Sequence, residues 1–532
     1  MNNSGVLANA SSIYSCVVSV WETWTVTTTS LLVLTVLAAL TYFWITKYWP
    51  SSFERMRDDT CPVPLPPGNM GYPFIGETLE FIRKGSEFFA SRLSRYGPVY
   101  KTHLLGTPMV RVVGGVHVKP VLLGEHVSVR SSWPASVRRL MGPRALLCQH
   151  GDGHRVTRRV VSSLFTPTVL ATFVPKIQFE VTSTCIHVCI LAPRQMVMDR
   201  HVDGWCRRSE EEGEILGYPA CQEMSLTLTQ EVTLGVSTDS TEMEPMRRAM
   251  KVFLANTFSM PIAVPGSGLW KGLRARQRIL QEVRKKLESS QPRGDADFLS
   301  QTELMQQCPE FQGRHDLIED NSLEIVFAAY ATTSGVFCNT LLCLGRNPEV
   351  LRKVEAELER EGLLDDPSVA LTYDVIGRLE YVHNVNREVM RMFPPAGAGF
   401  RKVIKTLNIG GCQIPKDWTV AYSIRETQQT SDCFPEPDRF YPDRWVDLDS
   451  EEMKEKIRFQ YIPFGAGARK CVGRRLAMLY QAVFLVEVVR RCRFHLKNPA
   501  PVINHIPIVK PADDLPVTFR RRGTANHSSK SC

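Results

Sequence analysis

The chain has 532 residues, 43% of them hydrophobic, with 64 basic against 55 acidic side chains and a net charge of +9. Such a chain can bury a large core, and length alone allows two or three domains. The basic excess is no nucleic-acid signal, since no recognition motif accompanies it, and fifteen scattered cysteines suit a reducing compartment rather than a disulfide scaffold.

Between Glu22 and Lys47 there is no charge, and Leu31 to Ile45 (LLVLTVLAALTYFWI) is strongly apolar. That predicts a transmembrane anchor over 25–46, behind a segment 1–24 and ahead of a linker 47–60. A cleaved signal peptide is the alternative, weakened by the upstream length and the lack of a small-residue cleavage pattern. Lys47, Arg55 and Arg57 follow the run while only Glu22 precedes it, so the N-terminus is expected in the lumen and the remainder in the cytosol. One large domain is expected over 61–520. It opens with CPVPLPPGNMGYPFIG (Cys61 to Gly76), too rich in proline and glycine to be helical.

Val99 to Val113 alternates as a small hairpin turning near Gly106-Thr107-Pro108. WPASVRRL (Trp133 to Leu140) begins a helical or loop element, and Gly151 to Phe165 reads as a basic helix with His154 and Arg158 four apart. HVCILAPRQMVMDRHVD (187–203) lacks clean periodicity and reads as an insertion or a gene-model artefact. Ile325 to Gly345 carries no charge, but Asn339, Ser334, Gly335 and several threonines dilute it, so a buried helix crossing the domain explains it better than a second span.

YVHNVNREVMRMFPP is a helix ended by Pro394-Pro395, and its Glu388 and Arg391 share one face. Downstream, FYPDRW supplies Arg444. PFGAGARKCVG (Pro463 to Gly473) frames Cys471 with Gly465, Gly467 and Gly473. An iron-ligating thiolate needs backbone N–H groups aimed at sulfur and a tight turn close to a flat cofactor, and glycine permits that conformation. A buried cysteine in a glycine-rich turn is the bland alternative. The helix from Arg474 to Arg490 is apolar nearly all round, hence buried, and residues 521–532 read as a disordered basic tail.

The run F-x-x-G-x-R-x-C-x-G resembles the haem loop of the cytochrome P-450 superfamily, with Glu388-x-x-Arg391 and Arg444 as its supporting network. PLPPGNMGYPFIGETLEF, LLGEHVSV, SWPASVR and GFRKVIKTLNIGGCQIPKDW narrow the resemblance to the retinoic acid hydroxylase family. It implies a mainly α fold with small β-sheets (α+β), the P-450 fold, over the haem-thiolate domain. It implies haem b with Cys471 as thiolate ligand, Phe464 under the macrocycle, and Arg469, Arg158, His154 and Arg401 toward the propionates. His154 stands where the superfamily usually has tryptophan. Thr332 remains from the acid–threonine pair of the long helix, with Ala331 in place of the acid. Trp133, Phe327 and Phe400 align with pocket-lining positions, although ordinary core packing also accounts for each.

The implied reaction is oxidation of all-trans-retinoic acid, mainly at C4. Electrons would come from NADPH through a separate reductase, since no flavin or dinucleotide motif occurs, and the basic residues near these motifs could steer that acidic partner. The implied location is the endoplasmic reticulum membrane, single-pass. A sterol or fatty acid substrate, a non-oxidative haem-thiolate isomerase and a haem-binding pseudoenzyme stay open at this point.

Overall fold

The structure, a computed structural model, describes residues 4–44, 48–104, 106–178, 197–234, 243–288, 300–364, 366, 369–505 and 508–522. The first helix runs Ser4–Phe43, and its part Trp24–Phe43 is long and apolar enough to cross a membrane, with none of it buried. Twenty residues at the α-helical rise span about 30 Å, the thickness of a bilayer's hydrocarbon core. The core helix, His315–Arg346, passes the same test of length and composition but is mostly buried. It stops at Asn347 because Pro348 opens the next helix at its first position.

The sequence-predicted hairpin is present as strands β1 (Val99–Leu104) and β2 (Thr107–Val112), paired antiparallel. They join β3 (Val129–Ser131), β4 (Ala398–Val403) and β5 (Thr419–Ser423) in one sheet of order β1-β2-β5-β4-β3, with β2 and β5 parallel. Successive strand residues face opposite sides. On β4 this leaves Phe400 exposed and buries Arg401.

The rest is dominated by helices around one apolar core. The helix Arg474–Arg491 is buried nearly all round and packs on the core helix, with Phe337 and Phe484 stacked 4.1 Å apart. Each ring stabilises the fold by about 1.5–3 kcal/mol through burial alone. A fully buried pair, Glu487 and Arg490 at 2.7 Å, fixes that helix's last turn. Its chain continues as strand Cys492–Leu496, which pairs with the final strand Pro516–Arg521. Arg521 therefore belongs to a strand, and Arg522 donates its backbone N–H to Arg491; positions 523–532 of the expected tail lie outside the described residues. Of the irregular stretch 187–203, positions 187–196 also lie outside them, and helix Val197–Glu212 takes the remainder.

Candidate active site

The loop that carries Cys471 is closed by its own backbone. The Cys471 N–H donates to the Phe464 carbonyl at 2.9 Å, and the Gly465 N–H donates to Ile462 at 2.9 Å. Gly465 and Gly467 take φ of +63° and +67°, and a Cβ on Gly467 would lie 2.2 Å from the Leu122 carbonyl oxygen. Only glycine permits both the conformation and the approach. The Gly473 N–H bonds to the Cys471 thiol, just ahead of helix Arg474–Arg491, so the sulfur sits at a helix N-terminus that favours negative charge.

Burial pushes the Cys471 thiol up, opposed by Gly473, Arg158 and Arg474, yet its surface is exposed. A desolvated thiol in a residue that keeps exposed surface suits the wall of a recess. The core helix has a comparable break in its burial. In the middle of this buried helix Ala328 is exposed, while Phe327, Ala329, Ala331 and Thr332 are half-buried. The Thr332 hydroxyl donates to the Ala328 carbonyl one turn back at 2.6 Å. Phe327 and Trp133 pack against the main apolar core, and Ser132, next to Trp133, donates its N–H to the Phe400 carbonyl at 3.3 Å.

Behind the loop, the Glu388 carboxylate is fully buried and takes Arg391 at 2.9 and 3.0 Å, Arg444 at 3.1 Å, the Trp445 indole N–H at 3.1 Å and the Tyr441 N–H at 3.1 Å. Arg391 and Arg444 both reach on to the Arg439 carbonyl at 3.3 Å. Gln428 bonds the carbonyls of Met390 and Arg391 and accepts the Ile462 N–H at 3.1 Å. The helix Glu380–Met392 is thus tied to the residue two before Phe464. Glu388→Ala leaves two buried guanidiniums without their carboxylate, at a cost of about 3–5 kcal/mol. Urea unfolding should show that loss; a variant within 1 kcal/mol of wild type would refute the network as the loop's support.

The polar side of the recess gathers residues from four segments. Arg469 gives Nε to Glu125 at 2.9 Å and its terminal nitrogens to the carbonyls of Leu146 (3.2 Å) and Gln149 (2.6 Å), with His150 Nδ1 at 3.2 Å. Arg401 faces the other Glu125 oxygen at 3.2 Å. Arg158 donates to the Lys470 carbonyl at 2.5 Å, beside the thiol. His154 is 2% exposed, and neither ring nitrogen has a partner. Burial, then Arg469 and Arg158, push its pKa down to about 3, so it stays a neutral imidazole. An unpartnered buried imidazole among arginines, beside a reachable thiol with a backbone N–H on its sulfur, fits a flat, doubly acidic, iron-bearing cofactor such as haem.

The front of the core helix holds the loop that supplies those carbonyls. Asp320 accepts the Arg144 N–H at 3.0 Å, Asn321 the Leu146 N–H at 3.1 Å, and Glu324 the Leu147 N–H at 3.1 Å. Burial pushes Glu324 up to about 7, against the pull of Leu147 and Leu146. Like Cys471, Glu324 is desolvated yet only half-covered, as a wall residue of the recess would be. Because its folded pKa lies above the ordinary 4.5, its contribution to stability is full below about pH 4.5 and is lost as pH rises through 7. Glu324→Gln should therefore gain stability relative to wild type between pH 5 and pH 8. Urea midpoints at both pH values would check this, and a constant difference would contradict it.

Sequence reasoning missed Glu125 and Glu324. Glu324 lies on the helix face of Ala328 and Thr332, four and eight residues on, so helical spacing was the signal available. Glu125 stands in a three-dimensional cluster with no local pattern.

The Cytochrome P450 family profile matches residues 66–513. Cytochrome P450 26B1 of Xenopus tropicalis is 36% identical over 88% of this chain and 89% of that protein. Cytochrome P450 26B1 of Homo sapiens is 36% identical over 88% and 90%, and Cytochrome P450 26A1 of Danio rerio 33% over 91% and 96%. Among solved structures, the retinoic acid bound cyanobacterial CYP120A1 is similar with a TM-score of 0.75 at 25% identity, over 87% of this chain and all of that one.

Proposed function

The chain belongs to the cytochrome P450 family, and from that premise we propose that this monooxygenase hydroxylates all-trans-retinoic acid, mainly at C4, and so clears a retinoid signal. The observation that carries the reading is the Cys471 loop, closed by its own backbone, with the Gly473 N–H on the sulfur and Arg158 beside it; the exposed and half-buried stretch Phe327 to Thr332 of the core helix is assigned to the substrate side. A long polyene needs an apolar slot with aromatic walls. Trp133, Phe327 and Phe400 are assigned to those walls. The similarity to a retinoic acid-bound protein over 87% of the chain supports the substrate class.

Haem b bound at the Cys471 thiolate supplies O₂ activation, with electrons from NADPH through a separate reductase. Phe464 is assigned to the macrocycle, and Arg469, Arg401, Arg158 and His154 to its acidic edge. Glu388, Arg391 and Arg444 hold the loop rigid. The Thr332 hydroxyl has its proton committed to the Ala328 carbonyl, so its oxygen is left to accept from water. With Ala331 beside it, that oxygen orders the proton-donating water without an acid. The exposed helix Trp24–Phe43 is assigned as a single anchor in the endoplasmic reticulum membrane, with 1–24 lumenal and the domain over 61–520 cytosolic.

The test is turnover of all-trans-retinoic acid by the membrane-expressed protein with reductase and NADPH, read by mass spectrometry. An NADPH-dependent product one oxygen heavier is expected, and Cys471→Ala should abolish it. No product from protein that gives a thiolate-type carbon monoxide spectrum would overturn the substrate assignment. Turnover by Cys471→Ala would overturn the site.

Ala331→Glu should change the peroxide released per NADPH consumed more than it changes retinoid affinity. A large fall in affinity with unchanged peroxide would contradict the role given to Thr332.

A further inference from the structure

Glu125 is the most enclosed charge on the polar side of the recess. Its side chain is 1% exposed, against 8% for Arg469 and 7% for Arg401. One oxygen takes Arg469 Nε at 2.9 Å and the Ser131 N–H at 3.0 Å, while the other faces Arg401 Nε at 3.2 Å. His126 Nδ1 stands 3.9 Å from the same carboxylate. The three charged groups come from distant parts of the chain: a turn after helix Gly115–Leu123, strand β4 and the thiol loop. This carboxylate contacts both guanidiniums; Arg401 also bonds the Phe400 carbonyl, and Arg469 the carbonyls of Leu146 and Gln149 and His150 Nδ1.

Arg401, Arg469 and Arg158 carry three positive charges, and His154 is held neutral beside them. The arginines on this side outnumber the carboxylate that pairs with them, which suits an acidic cofactor. Burying like charges together is costly unless each is compensated. Without Glu125 the empty-handed excess would splay Arg401 and Arg469 apart rather than hold both toward one edge.

We infer that Glu125 is a positioning residue for the haem: its carboxylate, hydrogen-bonded to Arg469 and ion-paired with Arg401, sets the spacing of the two guanidiniums beside the acidic edge. This rests on the haem-thiolate reading above. Two effects follow. The clamp slows haem loss, because neither guanidinium has to be reorganised when the cofactor binds. The Glu125 carboxylate disfavours adding an electron nearby, so it lowers the reduction potential.

The test uses the full-length holoprotein as wild type, Glu125→Gln and Glu125→Asp. Haem transfer to excess apomyoglobin and the ferric/ferrous potential are measured on each. Glu125→Gln should lose haem on the order of tenfold faster and show a raised potential, with Glu125→Asp moving both back toward wild type. A purely structural role would not move the potential of the fraction that stays folded. Unchanged haem loss and potential in Glu125→Gln would overturn the inference. Slower haem loss would also overturn it, by showing that Glu125 competes with the cofactor for the arginines. If Glu125→Gln does not fold, Glu125→Asp decides alone: its shortened reach should speed haem loss while its retained charge leaves the potential near wild type, and a wild-type rate of loss would overturn the clamp. A wild-type protein lacking the thiolate-type carbon monoxide spectrum would instead defeat the haem reading itself.

Discussion

A thiol that must lie inside the fold and still be reached by a flat cofactor sets the terms for everything around it. Protein interiors close-pack, so a recess stays open only if its walls are held from their far sides. The walls assigned here are the core helix, the glycine-rich loop and strand β4, which lies between β3 and β5. Behind the loop, Glu388 joins two arginines, an indole and a backbone N–H on one carboxylate. Behind the helix that follows Cys471, Glu487 holds Arg490 and Arg491. Such buried pairs add little net stability compared with apolar packing. They are directional, however, and a directional brace is what an open recess requires.

The core helix and the thiol loop both contribute to the proposed haem site. They are coupled around it, through the segment from Gly142 to His150. Asp320, Asn321 and Glu324 fix the N–H groups of that segment, and its carbonyls at Leu146 and Gln149 fix Arg469. Gly142 allows the approach, since at φ +98° a Cβ would lie 2.2 Å from the Asp320 carboxylate. Arg276 pairs with the same carboxylate from another helix, so the start of the core helix is a junction of three elements.

What the sequence made legible follows the range of the interactions involved. The hairpin, the core helix and the helix after Cys471 are set by local periodicity and were readable. So was Glu388-x-x-Arg391, because both residues sit on one helical turn. Arg444 was readable only through a family pattern, since fifty-odd positions separate it from Glu388 in sequence. Glu125 was quoted within LLGEHVSV, but its partners lie some 276 and 344 positions away, and no spacing rule spans that. The roles read for Arg469 and Arg401 named an external acid, while the structure adds an internal one that both share.

Position 331 lacks the acid of the superfamily's acid–threonine pair, just as Ala329 stands where that pattern has glycine, and Glu324 is the obvious substitute for the acid to weigh. It faces the same side as Thr332, and burial raises its pKa to about 7, a value suited to passing protons. Two facts count against it. Eight residues at the α-helical rise place it about 12 Å from Thr332 along the axis, well beyond a hydrogen bond or a single bridging water. Both of its oxygens are also directed at the Leu147 N–H. A residue that fixes a loop must keep its carboxylate in place, and a proton carrier must let its bonding change with each turnover. The geometry therefore assigns Glu324 to the loop and not to proton handling.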